Sequence, residues 1–168
     1  MRFFLVLAAI ITLVIPAVSM RADQGEELKA LPEINLRDFE GKKVSSDELK
    51  GSILVIDFWA TWCKPCLEEV PMLNKLQEKY GDKGLKVIGV TMVSGDAKEV
   101  KPVVNRVKME YRVLMGDDDQ AYDFNIYGYP TTFLVNRDFK IFRKYVGTSS
   151  QKAAMMDADI QKLLESKE

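Results

Sequence analysis

The chain reads ILVIDFWATWCKPC from residue 53 to residue 66, and this stretch decides its fold. The nearly continuous apolar run Ile53–Trp59 is typical of a strand that is buried on both faces of a sheet. A helical pattern follows it, because apolar residues recur at three- and four-residue spacing from Cys66 to Tyr80. Cys63 and Cys66 therefore lie where a buried strand turns into the start of a helix.

The elements predicted on either side complete an α/β domain. A second buried strand is predicted over residues 86–91, and a strand-helix-strand unit of this kind makes parallel pairs. The rest of the pattern predicts a small hairpin with its turn at Glu40-Gly41, a helix over 97–108, a short strand over 111–114, a helical turn at 119–124, a second hairpin of 131–135 and 141–145, and a last helix capped by Ser149 or Ser150.

Composition removes several classes of function. The 168 residues include no histidine, so neither a Ser-His-Asp nor a Cys-His hydrolase can be assembled. Two cysteines are too few for a zinc site of four thiolates within one chain. The 24 basic residues nearly balance the 25 acidic ones, which leaves no broad positive field for nucleic acid. We expect no metal, no cofactor and no nucleic-acid partner.

The N-terminus has the layout of an export signal. Met1-Arg2 is followed by an apolar run over residues 3–15, and small residues in Ala17-Val18-Ser19 predict a cleavage site before Met20. We expect residues 1–19 to be a signal peptide or, alternatively, a membrane anchor, residues 20–27 a linker, and residues 28–168 the domain. Export to the periplasm or cell envelope would place the two cysteines where disulfides persist.

The cysteine pair is placed for redox chemistry. At the start of a helix, free backbone N–H groups and the helix dipole favour the thiolate of Cys63, the expected nucleophile. Cys66, one turn further on, is expected to resolve the mixed disulfide. Lys64 adds a nearby positive charge, and Pro65 stiffens the loop without loss of a helical hydrogen bond. An inert structural disulfide across so short a loop would stabilise the domain little.

Two motifs carry a resemblance to the thioredoxin superfamily. Residues 58–66, FWATWCKPC, resemble its active-site segment, and residues 128–132, GYPTT, resemble its second landmark. Glu68-Glu69-Val70-Pro71 after the cysteines, the N-terminal hairpin and an insertion before residue 128 are most similar to the TlpA/ResA-type exported thiol-disulfide oxidoreductases. The resemblance implies a thioredoxin fold, in which helices flank a central mixed sheet, with an N-terminal β-hairpin extension.

The resemblance also implies roles for residues outside the cysteine motif. Pro130 would be a cis-proline facing the cysteines, and the backbone beside it would receive a substrate segment as an added strand. Tyr129, Pro130 and Thr131 would form the substrate groove, which Trp62 flanks. Asp57 matches a buried acid beneath the resolving cysteine in thioredoxin, and Glu69 matches an acidic position of the TlpA/ResA group. Either acid could move the proton of Cys66.

The expected function is the reduction of disulfides in exported proteins, with cytochrome c maturation as one task and a membrane thiol electron donor as a partner. A disulfide-donating oxidase and a thiol peroxidase are alternatives. Peroxiredoxin-type sites resemble this region, but Thr61 stands two residues before Cys63 rather than three. A peptide-binding module that uses the groove without turnover is the alternative of another class.

Overall fold

The computed structural model describes residues 28–166 of the chain. The predicted signal or anchor at 1–19 and the predicted linker at 20–27 lie outside the described residues. The strands are β1 Asn35–Arg37, β2 Lys43–Ser45, β3 Ile53–Trp59, β4 Leu85–Thr91, β5 Arg112–Met115, β6 Thr131–Val135 and β7 Ile141–Val146, and the helices are α1 Lys64–Tyr80, α2 Ala97–Val107, α3 Asp118–Asp123 and α4 Lys152–Glu165. Among the described residues, no helix combines the length and apolar character needed to cross a membrane.

The described strands form one mixed sheet in the order β2-β1-β5-β4-β3-β6-β7. The neighbours β3, β4 and β5 are parallel, whereas β6 runs antiparallel to β3 and β7 runs antiparallel to β6. The hairpin of β1 and β2 extends the sheet beyond β5. This architecture confirms the predicted thioredoxin fold with its N-terminal hairpin.

Strand β3 lies at the centre of the core, and all seven of its residues are buried. Because side chains alternate between the faces of a strand, Leu54, Ile56 and Phe58 join the apolar cluster on one face of the sheet. Val55 on the other face packs in the cluster that contains residues of α1 and α4. Asp57 has the same alternation as Val55 and therefore lies on the face that these two helices cover.

Local signals set the bounds of two helices. Asp96 caps α2 by accepting from the N–H groups of Lys98 and Glu99, and the Glu99 side chain returns a bond to the Asp96 N–H. This capping box starts the helix at Ala97, five residues before Pro102. The predicted serine cap of α4 is wrong, because Gln151 is the cap residue and no side chain caps this end. Ser149 contributes only its carbonyl, which accepts from the Lys152 N–H at 3.2 Å.

Gly116 follows β5 at a close approach to the end of β4. Its N–H donates to the Thr91 carbonyl at 2.9 Å. A Cβ at this position would lie 2.9 Å from that same carbonyl oxygen and 2.8 Å from Val90 Cγ1, and it would overlap Met92 Sδ. Because one of these atoms belongs to the backbone of a central strand, a rotamer change cannot relieve the overlap.

We predict that Gly116→Ala lowers the free energy of unfolding by about 1–3 kcal/mol, the usual range for an overfilled core. Urea denaturation of the variant and the wild type measures the difference. Gly128→Ala is the matched control, since a Cβ there meets nothing within 4 Å. Equal effects of the two substitutions would contradict the proposed overlap.

Candidate active site

A disulfide joins Cys63 and Cys66 at the start of α1. Cys63 is the N-cap residue, and its Sγ accepts a hydrogen bond from the Cys66 N–H at 3.3 Å. Both side chains are largely buried, and Cys63 is the more exposed of the two at 5% against 1%. A backbone donor aimed at Sγ at the positive end of a helix is an arrangement that stabilises a thiolate.

The two residues between the cysteines differ in how they act on the site. Pro65 occupies the first turn of α1, where its missing N–H leaves no helical hydrogen bond unmade. Lys64 is exposed, and its Nζ lies 3.8 Å from Glu68 Oε1, one turn along the helix. The positive charge predicted near the thiolate is therefore shared with a carboxylate and screened by solvent.

The predicted second landmark lies against the cysteine segment. The peptide bond between Tyr129 and Pro130 is cis, as the resemblance implied. The rings of Trp62 and Tyr129 meet edge to face with their centroids 5.9 Å apart. Trp62 is 64% exposed, although its Nε1 donates to the Val93 carbonyl at 3.0 Å. The structure thus brings Trp62, Tyr129 and Pro130 together beside the disulfide.

Thr131 lies behind this surface rather than on it. Its side chain is buried, and its Oγ1 donates to the Gly128 carbonyl at 2.7 Å. In the sheet, Thr131 is paired with Phe58 of β3 on one side and with Val146 of β7 on the other. Thr131 therefore shapes the turn that leads into the cis bond.

Asp57 is buried within the central strand. Its Oδ1 accepts a hydrogen bond from Thr132 Oγ1 at 2.7 Å, and Thr132 is the residue opposite it in β6. Burial raises the pKa of Asp57 to about 7, although the Thr132 hydroxyl and the charge of Lys152 oppose this shift. A carboxyl group that titrates near neutral pH is suited to proton exchange with a thiol.

Glu69 lies one turn after Cys66 on the buried face of α1. Its Oε2 accepts a hydrogen bond from Lys152 Nζ at 2.6 Å, and the same ammonium donates to the Gly147 carbonyl at 3.2 Å. Burial raises the pKa of Glu69, whereas the hydrogen bond and the charge of Lys152 act to lower it. Glu69 is thus half of a buried ion pair and not a solvated residue of the helix surface.

Sequence reasoning missed Lys152, because its partner is 83 positions away in the chain. The helical spacing of the sequence nevertheless indicates that Lys152 is buried. Lys152 occupies the same helical spacing as Met156, Ile160 and Leu163 on the buried face of α4. A lysine on an apolar stripe is expected to have an acidic partner in the core.

Two further polar side chains line the buried side of the site. The Tyr111 hydroxyl and the Trp59 Nε1 are buried and have no hydrogen-bond partner in the described part of the chain. Gly89, opposite Asp57 in the sheet, leaves room for both, since a Cβ there would lie 3.1 Å from Trp59 Nε1 and from Tyr111 Cε2. Burial and the charges of Asp57 and Glu69 raise the pKa of Tyr111 strongly, so its hydroxyl stays protonated.

A Cys-x-x-Cys disulfide at a strand-to-helix turn, a cis-proline in a neighbouring segment and a buried acid in the preceding strand are together typical of thioredoxin-like thiol-disulfide oxidoreductases. Residues 28–144 match the sequence model of the AhpC/TSA family. The chain therefore belongs to the AhpC/TSA family.

Proteins of similar sequence and structure carry names of the same class. The chain is 32% identical to thioredoxin-like protein YneN of Bacillus subtilis over 137 residues, which cover 80% of each chain. It is also 32% identical to thiol-disulfide oxidoreductase ResA of Bacillus thuringiensis over 125 residues, 74% of this chain and 72% of that one. A crystal structure of a thioredoxin-family thiol:disulfide interchange protein from Chlorobium tepidum superposes with a TM-score of 0.72 at 26% identity, over 83% of this chain and 99% of that one. The protein is therefore a thiol-disulfide oxidoreductase.

The pKa of Asp57 makes stability depend on pH. The folded protein keeps the Asp57 proton up to about pH 7, whereas the ordinary value is 3.8. Between these values the folded state binds more protons than the unfolded state, so this group lowers stability as the pH rises. We predict that Asp57→Asn removes this loss and gains on the order of 4 kcal/mol over the wild type above pH 8. Little difference is expected below pH 4.

Urea unfolding of both proteins at pH 4, 6 and 8 measures this effect. The asparagine side-chain oxygen can still accept from Thr132 Oγ1, so packing is retained. Asp123→Asn, at an exposed position, is the control and should leave the pH slope of the wild type unchanged. A constant difference between Asp57→Asn and the wild type at the three pH values would contradict the prediction.

Proposed function

We propose that the protein reduces disulfide bonds in exported proteins, with cytochrome c maturation as one such task. The observation that carries this proposal is the position of Cys63 Sγ, which caps α1 beside the exposed Trp62 and the Tyr129-Pro130 segment. An extended client segment at this surface would bring its disulfide to Cys63. The name thiol-disulfide oxidoreductase, carried by the ResA relative, supports the reaction class.

The reaction transfers two electrons from the cysteine pair to the client. The Cys63 thiolate attacks one sulfur of the client disulfide, and the other client sulfur leaves as a thiolate. Cys66 then loses its proton to Asp57 or Glu69 and attacks Cys63 Sγ. The second client thiolate leaves, and the Cys63–Cys66 disulfide is formed. A membrane thiol electron donor then returns the pair to the dithiol.

Two features of the sequence support reduction in an exported setting. Lys64 and Pro65 stand between the cysteines, whereas a histidine there would stabilise the reduced thiolate and favour a strong oxidant. The basic start and apolar run of residues 1–19 support export to the periplasm or cell envelope, either by a cleaved signal or with the segment retained as an anchor.

The cysteine roles predict opposite behaviour of two single variants. Cys66→Ser should accumulate a mixed disulfide with a client such as insulin, because the resolving thiol is absent. Cys63→Ser should form no such adduct and should lose dithiol-dependent reduction completely. Mass spectrometry under non-reducing conditions measures both.

The variant with both cysteines replaced by serine tests the alternative of a binding module. If the protein only holds peptides, this variant and the wild type should bind the client equally and the wild type should not turn it over. An adduct through Cys66 in the Cys63→Ser variant, with none in Cys66→Ser, would reverse the proposed roles.

The direction of electron flow is set by the reduction potential of the Cys63–Cys66 pair. We predict a value near or below that of thioredoxin, about −270 mV, measured by equilibration against glutathione and dithiothreitol buffers. A value near about −120 mV would make the protein a disulfide donor and would contradict a role as reductant. Turnover of hydrogen peroxide by the dithiol form would instead support the peroxidase alternative.

A further inference from the structure

Three ionisable side chains from three elements are buried on the side of the sheet that α1 and α4 cover. Asp57 of β3, Glu69 of α1 and Lys152 of α4 are 1%, 9% and 3% exposed. Glu69 lies one turn after Cys66 on the same face of α1, and Asp57 lies on the face of the sheet that α1 covers. Within the part of the chain that the structure describes, two acids thus share one lysine.

Lys152 forms a hydrogen bond with Glu69 and acts on Asp57 through its charge. Its Nζ is 2.6 Å from Glu69 Oε2, and the Gly147 carbonyl, 3.2 Å away, holds the ammonium in place. The nearest partner of Asp57 is the neutral hydroxyl of Thr132, at 2.7 Å. A charged donor in direct contact stabilises a carboxylate more than a hydroxyl does. Although burial raises the pKa of both acids, the ionised form is therefore less disfavoured at Glu69 than at Asp57.

Other charged groups near α4 are engaged elsewhere. Asp159, two turns along α4 from Lys152, accepts from Arg143 Nε at 2.5 Å and from the Tyr145 hydroxyl at 2.9 Å. Tyr111, which borders the two acids, carries no charge at the pH of interest because its pKa is strongly raised. The acids whose protonation matters at this site are thus Asp57 and Glu69.

We propose that Lys152 is a positioning residue whose ammonium keeps Glu69 ionised where Asp57 holds a proton, and so leaves Asp57 as the acid that exchanges a proton with Cys66. The inference rests on the proposed function, in which one of the two acids takes this proton. The two acids differ in their partners, because Glu69 contacts the Lys152 ammonium and Asp57 contacts the Thr132 hydroxyl.

The resolving step is then balanced in protons and electrons. The S–H bond of Cys66 breaks, and its proton passes to the Asp57 carboxylate. The electron pair left on Cys66 Sγ forms the bond to Cys63 Sγ, and the client sulfur leaves with the pair of the broken mixed disulfide. Asp57 later returns the proton to solvent or to the client thiolate, while Glu69 and Lys152 keep their charges throughout.

Carbon-13 NMR of the side-chain carboxyl groups tests the inference in the disulfide form of the full chain. We expect the Asp57 carboxyl to titrate near pH 7, where burial places its pKa, and Glu69 to stay ionised to a lower pH. The opposite order of the two midpoints would overturn the inference. Because no client is present, a failed client-reduction assay would reject the proposed function without changing this result.

Variants of Lys152 separate its charge from its packing. Lys152→Met should raise the titration midpoint of Glu69 by about one to three pH units, the usual effect of a lost neighbouring charge. Lys152→Arg should restore the midpoint. Lys162→Met is the matched control, because Lys162 is also on α4 and also pairs with a carboxylate, Asp159 at 3.4 Å, but is exposed. It should leave both midpoints unchanged.

A double variant keeps the test valid if Lys152→Met does not fold. Lys152→Met with Glu69→Gln replaces the ion pair by two neutral side chains of similar size, which folds more readily than one unpaired buried charge. Asp57 should still titrate near pH 7 in this variant, and adding Asp57→Asn should abolish that titration. Loss of the neutral-pH titration in the double variant, or an unchanged Glu69 midpoint in Lys152→Met, would overturn the inference.

Discussion

The burial of β3 between β4 and β6 is the constraint on which the rest of the structure depends. A parallel partner such as β4 requires a crossover, and α1 provides it, so the helix must begin at the carboxyl end of β3. That requirement places Cys63 at the helix start, where backbone N–H groups are free. On the other side, the pairing of Phe58 with Thr131 brings the preceding Pro130 to the same end of the sheet. One strand therefore positions both halves of the site.

The same strand carries the least favourable residue of the core. An ionised carboxylate at Asp57 is costly in a fully buried strand, and the domain tolerates it because the group can hold a proton near neutral pH. The Glu69–Lys152 pair is no strong source of stability either, since desolvation offsets much of the attraction of a buried ion pair. Under the proposed function, these groups would serve proton exchange with the cysteine pair rather than stability.

The surface of the site has a different character from its interior. Trp62 is mostly exposed, and Tyr129 is half-buried against it, so two aromatic rings border the cysteines on the side that faces solvent. Beneath them Asp57 and Glu69 are buried, at 1% and 9% exposure. Under the proposed function, contact with the client and proton transfer would take place on opposite sides of the disulfide.

The sequence by itself determined the elements and the reactive pair, because these follow from local patterns. An apolar run predicts a central strand, and a Cys-x-x-Cys pair after it predicts cysteines at a helix start; the structure has the strand and places the disulfide there. From the sequence, Asp57 and Glu69 were equal candidates for the acid that takes the proton of Cys66. Lys152 was predicted only as part of the last helix. The tertiary structure alone decided that the lysine contacts Glu69, because the packing of α4 on α1 joins residues 83 positions apart. Periodicity encodes which side of a helix is buried, but the partner that a buried charge meets there depends on how the helices pack.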